Sequence, residues 1–102
     1  MGVLLMPLEP ADYAPTAQDL ADLIEQAARL RARGKSRARW AVALTQAGRH
    51  DAADHAIADV QNAMDELDWG WREIDDPATR RAWHNAMRAV ERAAKRVRQS
   101  VA

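Results

Sequence analysis

The chain contains no cysteine and no phenylalanine, and only four glycines and four prolines among 102 residues. The absence of cysteine excludes disulfides, thiolate metal ligands and a cysteine nucleophile, and it fits a reducing compartment. No apolar run approaches the ~20 residues that a membrane-spanning helix needs. The apolar run at residues 3–6 is short, lacks basic residues before it and is followed by Pro7, so we expect no signal peptide. We therefore expect a cytoplasmic protein.

Apolar residues make up 48% of the chain, but much of this share is alanine, and aromatic residues contribute only 5%. A chain of this length can form one domain with one modest core. Because alanine buries little area, stability should depend on a few large side chains, above all the four tryptophans. Thirteen arginines against two lysines indicate GC-rich coding and hence a bacterial or phage origin.

The charged residues are sorted into four blocks of alternating sign, although the formal net charge is zero. Residues 1–28 hold five acids and no base, and residues 29–50 hold seven bases and no acid. Residues 51–76 hold nine acids and one base, and residues 77–102 hold seven bases and one acid. We expect such blocks to be matched either on neighbouring helices or on another molecule.

Prolines at positions 7, 10 and 15 predict that residues 1–15 form an extended arm, because the residue before a proline disfavours helical conformation. The arm is apolar, so we expect it to lie in a groove of the domain or to dock on a second subunit. Residues 16–102 are predicted to form a helical bundle domain.

Capping residues and apolar spacing predict two helices in the first half of that domain. The first spans 17–33, with Thr16 as N-cap, Asp19 at the third helical position and Gly34 at its end. The second is short, spans 36–47 and ends at Gly48, with Trp40 on its buried side. One kinked helix over 17–47 is the alternative, since a glycine inside a helix costs only about 1 kcal/mol.

Two more helices are predicted in the second half. Asp51 is expected to cap a third helix over 52–68, and Asp76 with Pro77 to open a fourth over 77–99, in which Trp83 is a core residue. No convincing strand is present. The predicted fold is therefore all-α: a small antiparallel helical bundle of three long helices and one short helix, with an extended apolar N-terminal arm.

Residues 40–60 resemble one tetratricopeptide-type hairpin. Positions at the family's spacing are Trp40, Ala41 and Leu44 before the turn, Gly48 in it, and Ala53, Ile57 and Val60 after it. His50 stands where the family has an aromatic residue, and no second copy follows 34 residues later. The resemblance implies an antiparallel helix pair joined by a tight turn.

Patterns of catalytic or metal-ligating residues are weak. His50 and His55 each have an aspartate four residues away, but the two histidines are five residues apart and point about 140° apart around a helix, so they do not converge on a metal. The serines and threonines lack a histidine or paired carboxylates at helical spacing. We expect a protein that is not an enzyme and holds no cofactor and no metal.

Basic residues offer one candidate surface, for nucleic acid or for an acidic partner. Helix dipoles explain the bases that end the first helix, but they oppose bases in a first turn, and a basic strip also follows the last helix. The residues concerned are Arg37, Arg39, Arg81, Arg88, Arg92 and Lys95. The zero net charge argues against nucleic acid, and most of these charges fit a solvated or intramolecular role.

Trp69 offers a second candidate surface, because it falls off the apolar stripe of its helix whereas Trp71 continues that stripe. Either both tryptophans cap the bundle end and pack against Trp83, or Trp69 is exposed and anchors a protein partner. In the second case Glu73, Asp75 and Asp76 flank the contact.

The predicted function is that of a non-enzymatic protein-binding module: an adaptor, an assembly subunit or an inhibitor of a larger machine, of phage or mobile-element type. Its acidic and basic faces are self-complementary under a two-fold axis, so we expect a homodimer. The alternative is a nucleic-acid-associated protein that uses residues 29–39 and the basic strip of the last helix.

Overall fold

The computed structural model describes residues 14–101, so residues 1–13 of the predicted arm lie outside the described part of the chain. Three α-helices account for almost all of residues 14–101, and no strand occurs among them. They are α1 (Ala17–Gln46), α2 (His50–Glu73) and α3 (Pro77–Val101). The all-α prediction is confirmed, but the separate short helix over 36–47 is wrong, because α1 continues through Gly34 and Ser36 without a break.

Gly34 explains the missing break, because it is a packing position rather than a helix end. A Cβ atom on this residue would lie 2.7 Å from Cγ1 and 2.8 Å from Cγ2 of Val90 on α3. Only a residue without a side chain lets the two helices approach this closely. The close contact between the two helices offsets the modest helix-propensity cost of a glycine inside α1.

Gly70 has the same role in α2, which extends to Glu73 and not to residue 68 as predicted. A Cβ atom here would lie 2.3 Å from Cε3 of Trp83, so the absence of a side chain leaves room for the indole ring. The start of α2 also differs from the prediction. The helix begins at His50 after Arg49, which makes no side-chain capping bond, and Asp51 lies inside the first turn.

Three predicted helix boundaries are confirmed. Thr16 and Asp19 form a reciprocal capping box at the start of α1. Gly48 has φ +76°, and the bonds from Gly48 N–H to the Thr45 carbonyl and from Arg49 N–H to the Leu44 carbonyl form a Schellman motif. At the start of α3, Asp76 accepts a hydrogen bond from the Thr79 amide, with Pro77 as the first helical residue.

The core is built mainly from alanine, with a few larger side chains at one end. Trp83 is only 4% exposed, and its indole N–H donates to the Leu23 carbonyl at 2.9 Å. Trp83 also contacts Gly70, so this layer joins all three helices; we call it the Trp83 end. Trp40, predicted to be buried, is 56% exposed.

Within residues 14–101 none of the helices carries an apolar stretch long enough to cross a membrane.

Candidate functional site

A groove of about 480 Å³ lies between α1 and α3 at the end of the bundle opposite Trp83, which we call the groove end. Small side chains cause it, because alanine and valine on both helices do not fill the space between the helix backbones. The floor consists of Ala38, Val42, Ala93 and Val97, and the rims consist of Lys35, Arg39, Arg96 and Ser100. The α1/α3 groove thus combines an apolar floor with cationic rims.

Both rims continue as rows of positive charge. Arg31 lies one turn before Lys35 on α1, and Arg92 lies one turn before Arg96 on α3, so each pair shares a helix face. With Arg39, these are five cations. None of them forms an ion pair with an acid of residues 14–100. The groove end therefore presents positive charge without a matching acid in the described part of the bundle.

The seam between α1 and α2 is different, because its charges are matched within the fold. Asp59 of α2 lies 3.4 Å from Nε of Arg37 and 4.0 Å from a guanidinium nitrogen of Arg33. Exposed pairs of this kind contribute little to stability. The pair with Asp59 nevertheless balances the charge of Arg37 within the molecule. The block of bases at residues 29–50 is therefore only partly available to a partner.

The basic residues predicted as one candidate surface occupy different places. Arg37 lies on the α1/α2 seam and Arg39 on a groove rim. The strip on α3 is exposed along that helix, where Arg88 pairs with Glu91 at 3.4 Å. Its other members are Arg81, Arg92 and Lys95. Of the six residues, only Arg39 lines the groove, and Arg92 extends a rim.

Trp69 lies on the outer surface of α2, where 68% of the residue is exposed. It does not pack against Trp83, so the first of the two predicted placements is wrong and the second is available. Asp65 and Glu73, one turn before and one turn after it, are also exposed, as is Glu66. A large aromatic side chain is thus displayed among carboxylates.

The other two predicted contact residues follow α2 in the connection to α3. Asp75 is exposed, whereas Asp76 is half-buried and its carboxylate accepts bonds from the Thr79 amide at 3.0 Å and the Thr79 hydroxyl at 2.7 Å. These two bonds hold the pKa of Asp76 below its usual value, and the bond from the Thr79 amide contributes most. The Asp76 carboxylate therefore serves the helix cap, and its lone pairs are largely engaged.

Trp71, unlike Trp69, links α2 to α3. Its ring meets His84 edge-on with centroids 4.8 Å apart, and the Arg80 guanidinium lies 5.1 Å from the ring centroid. The Trp71 indole N–H donates to Asp68 at 3.0 Å, which is the main reason that the pKa of Asp68 is lowered, with a further contribution from Arg72. This cluster holds the two helices together.

The histidines of α2 line a shallow cleft at its start together with Asp51. Within residues 14–100, no three histidine, aspartate or glutamate side chains gather closely enough to hold a metal ion.

The α1/α3 groove was not predicted from the sequence. Arg96 and Ser100 were not named as candidates, and Lys35 entered only as a member of the basic run 29–39. The alanines of the floor look the same in sequence as alanines packed elsewhere in the core. A helical row of bases spaced by four residues is visible on α1. Its pairing with α3 depends on the register that the Gly34–Val90 contact sets.

Comparisons with known protein families, with curated proteins and with solved structures find no match to this chain.

Proposed function

We propose that the protein is a non-enzymatic protein-binding module that holds an acidic, amphipathic segment of a partner protein in the α1/α3 groove. Adaptors, assembly subunits and inhibitors of larger machines work in this way. The observation that carries the proposal is the apolar floor between rims of one charge sign. An amphipathic helix binds such a groove by laying its apolar face on the floor. Carboxylates on its flanks would then meet the two cationic rows.

The electrostatic part of this proposal concerns selection of the partner more than strength of binding. The rim side chains are solvated, so each charge pair contributes little affinity but raises the association rate and disfavours basic segments. Burial of apolar area on the floor supplies most of the binding free energy. A partner segment should therefore need both leucine-like and acidic residues, at helical spacing.

We also propose that helices consecutive in the chain run antiparallel. Two observations support this. The connections at 47–49 and 74–76 have only three residues each, which is typical of antiparallel neighbours. Gly70, late in α2, contacts Trp83, early in α3, whereas Ile57, early in α2, shares a cleft with Val97, late in α3.

The proposal is tested by calorimetric titration with a 14-residue probe peptide of leucine and glutamate at amphipathic helical spacing, against a scrambled peptide of the same composition. We expect the amphipathic peptide to bind about tenfold more tightly or better. The double variant Arg39→Glu/Arg96→Glu should lose at least about tenfold in affinity, because it reverses one charge on each rim.

The matched control is Arg81→Glu/Arg88→Glu, which makes the same change in net charge on α3 before the groove begins at Ala93. Its affinity should stay within about threefold of the unmodified protein, since distant exposed charges are screened by salt. Equal binding of the two peptides, or equal losses in the two double variants, would refute the proposal.

Nucleic-acid binding is the second candidate. It is favoured by the five cations of the groove rims, which form no ion pair with any acid of residues 14–100. Counterion release would make such binding fall steeply with salt. Against it, the formal net charge is zero, and a phosphate backbone makes no use of an apolar floor. Titration of the protein with duplex DNA and single-stranded RNA over a salt series separates the candidates. Tighter binding of either nucleic acid than of the amphipathic peptide at about 150 mM salt would favour this alternative.

A further inference from the structure

The surface around Trp69 has the chemistry that the α1/α3 groove is proposed to bind. Asp65, Trp69 and Glu73 recur every four residues on α2, so they lie in one row with the indole in the middle. Glu66 lies beside this row and is also exposed. We call these four residues the acidic Trp69 face. It presents one large apolar group with a carboxylate a turn away on either side.

The dimensions of the two surfaces agree. The row from Asp65 to Glu73 is about 12 Å long at the helical rise of 1.5 Å per residue. The groove is lined over Lys35–Val42 on α1 and Ala93–Ser100 on α3, which is about 10 Å on each helix. The indole would rest on the apolar floor, and the carboxylates would reach the cationic rims.

One copy of the bundle cannot make this contact with itself. Trp69 precedes Gly70, which packs on Trp83, whereas the groove is centred near Arg96, so the two surfaces lie about 20 Å apart along α3. They also lie on opposite faces. The groove is between α1 and α3, and Trp69 faces solvent from α2 on the other side. The contact can therefore form only between copies.

We propose that the acidic Trp69 face of one copy docks in the α1/α3 groove of a second copy. This inference rests on the proposed function, because it uses the same groove. The two faces are different, so the contact is heterologous, and each added copy leaves one free groove and one free Trp69 face. Association is then open-ended and does not close as a two-fold dimer. Because the formal net charge is zero, copies of the chain do not repel one another overall near neutral pH.

Self-association of this kind competes with a partner segment for the groove. At high protein concentration the grooves are occupied by neighbouring copies, and an acidic partner releases single chains. The groove at one terminus of each assembly stays open, so partner binding starts there. The partner thus controls the assembly state through one surface.

The test measures molar mass by light scattering and sedimentation of the full chain over a concentration series. We expect the average mass to rise steadily beyond two chains as concentration increases, and to fall as salt is added, because the contact pairs opposite charges. Trp69→Ala should remain a single chain. The matched control is Trp40→Ala, which removes a tryptophan that is also exposed but does not line the groove. It should associate as the unmodified protein does.

A mixing experiment identifies the two surfaces. Trp69→Ala keeps its groove, and Arg39→Glu/Arg96→Glu keeps its acidic Trp69 face. Each alone should stay a single chain, while an equimolar mixture should form a complex of two chains and stop there. A single-chain mass for the unmodified protein at all concentrations, a mass that stops at two chains, or full association of Trp69→Ala would overturn the inference.

Failure of this inference is distinguishable from failure of the proposed function. If the unmodified protein stays a single chain yet binds the amphipathic peptide, only self-association is refuted. If the peptide does not bind either, both proposals fall. Circular dichroism melting of every variant verifies the fold. Trp69→Ala should bind the peptide at least as tightly as the unmodified protein does, because its groove is intact and no neighbouring copy competes for it.

Discussion

The two ends of the bundle solve the packing of three helices in opposite ways. At the Trp83 end, a tryptophan fills the space between the helices, and Gly70 makes room for its ring. At the groove end, alanines and valines of α1 and α3 leave the space open. One core therefore holds both a tightly filled layer, in which Trp83 is buried, and an unfilled layer, which leaves apolar surface open.

Charge follows the same division. The segments at the groove end, residues 31–61 and 89–101, hold ten bases and four acids. Those at the Trp83 end, residues 17–30 and 62–88, hold nine acids and five bases. The alternating blocks of the sequence are therefore gathered by the fold into a positive end and a negative end. A bundle with such ends orients an approaching charged partner before contact.

The largest expected effect comes from removing the residue that fills the Trp83 end. Trp83→Ala should lower the free energy of unfolding by about 3–5 kcal/mol, because it leaves a cavity and removes the hydrogen bond to the Leu23 carbonyl. Chemical denaturation monitored by circular dichroism measures the loss. A loss below about 1 kcal/mol would mean that this end does not supply the stability.

The next largest losses of unfolding free energy are expected when the two glycines inside helices are replaced by alanine. Gly70→Ala brings a methyl group against the buried Trp83 ring, and Gly34→Ala brings one against the Val90 methyl groups. Overpacking costs about 1–3 kcal/mol, and it must exceed the gain of about 1 kcal/mol in helix propensity. We expect both variants to be destabilised, Gly70→Ala more, in denaturant titrations.

Gly48 provides the control for those two variants. Its Cβ position is open, so Gly48→Ala costs only the strain of φ +76°, about 1–2 kcal/mol. A second substitution that restores space beside residue 34 should distinguish overpacking from backbone strain. Val90→Ala should rescue part of the loss in Gly34→Ala and none of the loss in Gly48→Ala. Stabilisation by Gly34→Ala alone would contradict the close approach of α1 and α3.

Acid should weaken the Trp83 end in particular, because Asp68 and Asp76 both have lowered pKa values there. A carboxyl with a folded-state pKa below the unfolded value of about 3.9 stabilises the fold above that pH. The contribution is lost as pH falls through the folded-state pKa. Asp76→Asn keeps a capping side chain but removes the titration, so its unfolding free energy should fall less between pH 5 and pH 2 than that of the unmodified protein. An identical slope would contradict the assignment.

The smallest expected effect on stability is at the groove rims. Arg39→Glu/Arg96→Glu should leave the unfolding free energy within about 0.5 kcal/mol, since these exposed cations form no ion pair in residues 14–100. The same variant should lose peptide binding, so stability and binding separate at the groove end. Denaturation and calorimetry on one preparation measure both. A large stability loss would show that the rims are structural.

Much of the bundle could be predicted from sequence because its signals are local. The capping box at Thr16, the turn glycine at position 48 and the Asp76–Pro77 helix start act within a few residues, and all three are present. Gly34 was misread as a helix end, and the helix that contains Gly70 was predicted to stop at residue 68. Only the partner helix reveals why a side chain is absent at these two positions.

The candidate site was harder to predict because it is made by register between two helices. Trp40 was predicted to be buried, and Trp69 was left with two placements, whereas both are exposed. The exposure of each depends on which face of its helix meets the neighbouring helices. The α1/α3 groove has Lys35 and Arg96 on its rims, although these residues are far apart in the chain. A single sequence does not indicate which residues of α1 and α3 face each other.

The most direct test of the central claim is to map the bound peptide on the protein by amide chemical shifts. During titration with the leucine–glutamate peptide, we expect the largest shift changes in the segments 35–42 of α1 and 93–100 of α3, which contain the groove lining. The layer of Gly70 and Trp83 should change little. Changes centred on that layer, or spread evenly over the three helices, would contradict the claim that the groove end is the binding surface.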